Sequence, residues 1–201
     1  MNLLLTDRLT CPRCATGAGL ILLADRVQGR RVLAGQLGCP HCRVRYPVAE
    51  GAADFAGTPA AEEGDVETAE AETLAALLGV TEGPAMLLML GGFEAAARSL
   101  AALIPDTEVV VAREQLGAPR DEEGVSILRI AGRIPLYDGS MRGVVVARGA
   151  LHLLAEAARV CAEAARIVLL GATSEARAAL AAQGLQVLAE SADMLVAVRR
   201  A

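Results

Sequence analysis

Lysine and tryptophan are absent from this 201-residue chain, and tyrosine and phenylalanine occur only twice each. So few rings argue against a single-stranded nucleic-acid platform, in which successive bases stack on aromatic side chains. Hydrophobic residues make up 54% of the chain, yet no run of about 18 uninterrupted apolar residues occurs, so no membrane-spanning helix is expected. The opening Met1-Asn2-Leu3-Leu4-Leu5 lacks a basic lead and is cut short by Asp7 and Arg8, so it does not read as a signal peptide. A cytoplasmic location is the expectation, and a reducing cytosol keeps cysteines as thiols or metal ligands.

The net charge of −5 is unevenly spread. Residues 1–50 carry seven arginines against three acids, residues 51–72 carry seven acids and no base, and the remainder is nearly balanced. A globally acidic chain is not an obvious nucleic-acid binder, and the basic first segment reads first as a solvated face.

Four of the five cysteines form two near copies of one turn, Cys11-Pro12-Arg13-Cys14 and Cys39-Pro40-His41-Cys42. A Cys-x-x-Cys turn places two sulfurs on one side of a tetrahedral site, and two such turns complete the four-thiolate set that zinc prefers. The stretch between them, residues 15–38, fits an inserted hairpin. Four protein ligands leave no open position for water or substrate, so the zinc is expected to be structural, supplying roughly 10 kcal/mol to a ribbon too small to fold alone. His41 is expected beside the site rather than in it. Cys161 stands in an alanine-rich run and reads as a small apolar filler.

Short apolar runs at 20–23, 32–34 and 44–48 predict strands around the two knuckles. Residues 51–72 mix glycine, proline, alanine and acids and read as a solvated linker, with a helix beginning somewhere between Val66 and Leu78. After Pro84 the pattern alternates. Strands are expected at 85–90, 108–112, 125–130, 143–147, 166–170, 185–189 and 193–198, and helices at 93–104, 151–162 and 174–183. Continuous Val, Leu and Ile runs mark strands buried on both faces. The expected architecture is therefore α/β: a zinc ribbon at 1–55, an acidic linker and helix at 56–80, and a Rossmann-like, mostly parallel sheet domain at 81–201.

The run from Leu9 to Cys14, with Leu37 to Gly51 and its Tyr46-Pro47 and Glu50-Gly51, resembles the small zinc-ribbon proteins that activate tRNA, rRNA and release-factor methyltransferases, and their bacterial relatives. The likeness covers about a quarter of the chain. It implies that the ribbon binds and stabilises a methyltransferase fold, and that the second domain is of the class I, S-adenosylmethionine-dependent type. Arg133 to Val146, with Leu136-Tyr137-Asp138-Gly139-Ser140, resembles that family's segment leading into its fourth strand, and Gly149 to Leu154, containing His152, resembles the start of the helix that follows.

The residues that would hold S-adenosylmethionine are another matter. The family's glycine-rich turn appears as Gly91-Gly92-Phe93, shortened and entering the helix with a bulky ring. Where an acid would accept hydrogen bonds from the ribose, Arg113 stands, with Glu114 one place later and pointing the other way in extended chain. Ala131-Gly132-Arg133 fills the stretch where a third acid would meet the adenine. His152 has no obvious nucleophilic partner, and Asp138 suits the Asp-Gly turn. Two readings follow: a non-catalytic methyltransferase-like domain fused to a ribbon and acting through protein contacts, with a methyltransferase or a second copy of itself, or an active methyltransferase with an atypical site built on Gly91, Gly92 and Glu114.

Overall fold

The computed structural model describes residues 1–14, 16–57, 68–114 and 122–199. Among these described residues, eleven strands form a single sheet in the order β1-β2-β3-β4-β7-β6-β5-β8-β9-β11-β10. The cysteine-bearing segment supplies β1 (Ile21–Gln28), β2 (Arg31–Gly38), β3 (Arg45–Ala49) and β4 (Ala52–Asp54), all antiparallel to their neighbours in that group. β4 then pairs in parallel with β7 (Val125–Arg129), so the sheet runs unbroken from the ribbon into the α/β part. Ala52, Ala53 and Phe55 are buried. Residues 51–55, solvated in composition though expected within the ribbon, gain their strand at 52–54 from pairing with β3 and β7. Most of the acidic stretch, 58–67, lies outside the described residues.

β5 (Ala85–Leu90), β6 (Thr107–Arg113), β7, β8 (Met141–Val146) and β9 (Cys161–Leu170) are parallel, while β11 (Met194–Arg199) and β10 (Leu185–Glu190) close the far edge as an antiparallel hairpin. Leu87 to Leu90 and Val109 to Ala112 are fully buried, as strands covered on both faces must be. α1 (Ala71–Leu78) packs on α2 (Glu94–Leu103), which crosses from β5 to β6; α3 (Leu154–Val160) crosses from β8 to β9, and α4 (Ser174–Ala182) packs on β10. Crossovers running in opposite directions from β5 and β8 put α2 and α3 on opposite faces when each is right-handed. Chain order thus reverses between β5 and β8, the topological switch point of a doubly wound sheet.

Helix ends follow local chemistry. α1 stops at Gly79, which takes φ +68° and donates its N–H to the Ala75 and Ala76 carbonyls, while the Arg166 guanidinium donates to the Leu77 carbonyl at 3.1 Å. Thr173 caps α4 by accepting the Ala176 N–H at 3.1 Å. One expectation is corrected. The helix expected through residue 162 ends at Val160, because Cys161 pairs with Met141 on β8, and residues 162–165 bulge out before Arg166 rejoins the strand. Alanine propensity is a weak preference that such pairing overrides. Cys161 is buried, and burial pushes its thiol up to about 11, as an inert filler requires.

The joint between the ribbon and the α/β part is dense with polar contacts. The Glu108 carboxylate, at the start of β6 and 6% exposed, accepts from Asn2 Nδ2 at 2.8 Å, from Arg31 at 2.9 Å and from the Ser126 hydroxyl. Arg129 on β7 meets Asp54 at 3.1 Å. The Thr10 N–H donates to the Pro135 carbonyl and the Tyr137 N–H to the Arg8 carbonyl, each at 3.0 Å, so the segment leading into the first knuckle lies along residues 135–137.

Candidate metal centre and cofactor cleft

The four sulfurs of Cys11, Cys14, Cys39 and Cys42 lie within 4.8 Å of one another, three of the residues buried and Cys42 exposed. A zinc–sulfur bond of about 2.3 Å in a tetrahedron separates its sulfurs by about 3.8 Å. Cys11 to Cys42 and Cys14 to Cys39 measure 3.6 Å each, so the thiols are already spaced for such an ion. Local backbone builds each knuckle. The Cys11 N–H donates to the Ala18 carbonyl at 2.8 Å, and the Cys42 N–H donates to the Cys39 sulfur at 3.4 Å. Arg43 closes the second knuckle at φ +60°, its N–H bonded to the Cys39 carbonyl at 3.0 Å.

Thiols this close cannot all ionise without a cation between them. Burial pushes Cys14 up to about 12, helped by the neighbouring sulfurs. Burial also raises Cys39, but the amides of Cys42 and His41 outweigh it and bring that thiol down to about 6. A soft divalent cation removes the conflict, and an all-sulfur tetrahedral set is the donor chemistry of zinc or iron–sulfur sites. His41 is exposed, with Nδ1 4.0 Å from the Cys14 sulfur, beside the cluster rather than within it. Tyr46, whose neighbourhood of Pro47 and Gly51 had drawn notice only as a pattern, directs its hydroxyl at the Cys11 sulfur from 3.3 Å. Burial raises this phenol well above its ordinary value, so it stays protonated, and its hydroxyl is able to donate to a Cys11 thiolate.

Ligands of doubly wound sheets bind outside the carboxyl ends of the strands at the switch point, here between β5 and β8. Gly91 takes φ +118° there, and its N–H donates to the Ala112 carbonyl at 3.1 Å. A Cβ on Gly91 would stand 2.6 Å from the Ala147 Cβ, so the turns after β5 and β8 touch. Gly92 is buried and Phe93 fully so. Arg113, at the end of β6, is held by Glu94 in the first turn of α2 at 2.7 Å. Glu114 faces His152 at 3.5 Å, both exposed. The structure therefore brings Gly91 and Gly92 to the switch point and sends Glu114 to a surface pair. Sequence reasoning weighed Arg113, Glu114 and His152 singly and missed Glu94; its place in the first turn after β5 was the available signal. Asp138 meets Arg159 at 2.7 Å.

A doubly wound sheet with its order reversing beside a glycine turn defines the methyltransferase-like Rossmann fold, here joined to a four-cysteine ribbon. Solved structures share that fold. The complex between the Haloferax volcanii Trm112 methyltransferase activator and a methyltransferase matches with TM-score 0.55 at 16% identity, over 65% of this chain and 88% of that one. The tRNA (m1A58) methyltransferase TrmI from Aquifex aeolicus matches with TM-score 0.51 at 14% identity, over 70% and 72%. Precorrin-6y C5,15-methyltransferase from Geobacter metallireducens matches with TM-score 0.50 at 12% identity, over 70% and 93%. No family model and no curated protein matches the sequence. No helix among the described residues is long and apolar enough to cross a membrane.

Proposed function

We propose that this chain is a non-catalytic methyltransferase-like protein, carrying a structural zinc on Cys11, Cys14, Cys39 and Cys42 and acting through protein contacts. The observation that carries the reading is the Glu94–Arg113 ion pair at 2.7 Å. The resemblance implies an acid at the end of this strand to accept hydrogen bonds from a ribose, and a neutralised cation there, beside a buried Phe93 and a turn pressed against Ala147, supports the loss of that contact. Zinc in this set stabilises the ribbon and takes no part in chemistry, because all four positions are protein sulfurs. The Haloferax complex unites a methyltransferase activator with a methyltransferase, which supports a methyltransferase or a second copy of this chain as partner. Ile21, Leu23 and Val27, exposed on the terminal strand β1, are suited to such a contact.

Calorimetric titration of the zinc-loaded protein with S-adenosylmethionine tests the proposal. No heat of binding is expected up to millimolar cofactor, and micromolar affinity would overturn it. The second reading, an active methyltransferase using Gly91, Gly92 and Glu114, draws on the left-handed glycine at the switch point; that same micromolar binding would favour it, and methyl transfer from the bound cofactor would establish it.

A further inference from the structure

The Tyr46 side chain touches both the sulfur cluster and the joint of the sheet. Its hydroxyl is 3.3 Å from the Cys11 sulfur, with Tyr46 5% and Cys11 0% exposed. Among the described residues that sulfur is the only hydrogen-bond partner the hydroxyl meets. Its ring packs on Phe55, centroids 4.8 Å apart and planes tilted by 43°. Phe55 directly follows β4, and its N–H donates to the Arg129 carbonyl on β7 at 2.8 Å. Tyr46 itself sits on β3 opposite Leu37, two residues before Cys39 on the neighbouring chain segment. One rigid side chain therefore spans from a ligand of the first knuckle to the strand pair that joins ribbon and α/β part.

We infer that Tyr46 is a positioning residue for the metal: its hydroxyl donates to the Cys11 thiolate, fixing that sulfur and withdrawing charge from it, while its ring passes the order of the metal site to the β4–β7 joint. The inference rests on the proposed reading that the four cysteines hold zinc. A buried hydroxyl with no partner is costly, and a thiolate is the strongest acceptor within its reach. Such outer hydrogen bonds tune ligand basicity and metal affinity by about 10-fold to 100-fold. An aliphatic residue at 46 would fill the space and leave Cys11 with its full charge.

The test uses the full chain loaded with Co(II), whose sulfur-to-metal charge-transfer absorption reports the electron density on the ligands. Tyr46→Phe keeps the ring and removes the hydroxyl. It is expected to move that band to longer wavelength, as Cys11 becomes a richer donor, and to weaken zinc about 10-fold in competition with a chromophoric chelator. Tyr46→Leu removes the ring as well and is expected to lower the melting temperature further. A second measurement needs no substitution: in protein loaded with an NMR-active cadmium isotope, the Tyr46 hydroxyl proton is expected to couple to the metal through the Cys11 sulfur. A four-thiolate band that Tyr46→Phe leaves unmoved, with unchanged zinc affinity and no coupling, overturns the role of Tyr46 alone. A wild-type chain that gives no thiolate–cobalt band at all overturns the metal reading and this inference with it.

Discussion

The Arg113 guanidinium lies 2.7 Å from the Glu94 carboxylate, joining the end of β6 to the first turn of α2. Both groups are mostly withdrawn from water, with side-chain exposures of 16% and 27%. Removing one leaves the other charge poorly solvated and unpaired.

Arg113→Asp is therefore expected to destabilise the protein by about 3 kcal/mol, since it sets two carboxylates against each other where a pair had been. It is not expected to create S-adenosylmethionine binding, because the turn at Gly91 still meets Ala147 and Phe93 still fills the space behind it. Urea denaturation measures the first effect and calorimetric titration the second. Cofactor binding by this variant would show that charge alone had closed the cleft.

Metal removal is expected to reach beyond the ribbon. Structural zinc in a four-thiolate site contributes on the order of 10 kcal/mol of apparent free energy, and β4 shares its sheet with β7. One zinc per chain should be found by elemental analysis. Chelation should then strip hydrogen-exchange protection from β3, β4 and the facing amides of β7, and leave β5, β8 and β9 protected for longer. Apparent affinity should climb with pH, most steeply below about 6 where Cys39 is still protonated, and go on climbing above it because Cys14, pushed up to about 12, releases its proton only to the metal. Loss confined to β1 and β2 would show that the joint does not depend on the ion.

The joint itself is expected to rest on Glu108. Its buried carboxylate accepts from Asn2, Arg31 and Ser126, donors drawn from both sides of the seam. Glu108→Ala should cost about 3 to 5 kcal/mol, most of it the penalty of leaving Arg31 buried beside a cavity. Pairing it with Arg31→Met in a double-mutant cycle should recover part of that loss, since the cation facing the vacated carboxylate position is then gone. Two additive losses in urea denaturation would deny the coupling.

The sequence revealed most where one residue type dictates the structure by itself. Two Cys-x-x-Cys turns announce their own geometry, and the apolar runs at Leu87–Leu90 and Val109–Ala112 could only be strands buried on both faces. Features that need two distant residues stayed hidden. Ala52 and Ala53 carry no strand signal until β7 lies beside them, and Cys161 looks helical until Met141 pairs with it. Glu108 reads as the polar start of a strand, with nothing nearby in sequence to show that Asn2 and Arg31 arrive from the ribbon. Glu94 and Arg113 are nineteen positions apart, at the start of α2 and the end of β6, so their pairing follows from the crossover and not from spacing.

Acid should loosen the docking of the first knuckle by way of Glu156. Burial pulls this carboxyl up, but the Arg159 guanidinium and the Ile134 N–H, which donates to it at 2.9 Å, outweigh burial and hold it below the ordinary 4.5. Arg159 in turn donates to the Ile134 and Leu136 carbonyls at 2.8 Å each, fixing the segment whose Pro135 and Tyr137 hold Thr10 and Arg8. A group depressed in the folded state binds its proton more readily when unfolded, so its stabilisation is complete above the unfolded carboxylate value and is lost as pH falls from about 4.5 through the folded value. Glu156→Gln should therefore cost about 2 kcal/mol at neutral pH and nearly nothing at the acid end. Asp138, 79% exposed on the other side of Arg159, should contribute little, and Asp138→Asn should keep the wild-type profile. Urea denaturation of the three proteins between neutral and acid pH separates the cases, and a Glu156→Gln curve parallel to wild type would place the acid sensitivity elsewhere.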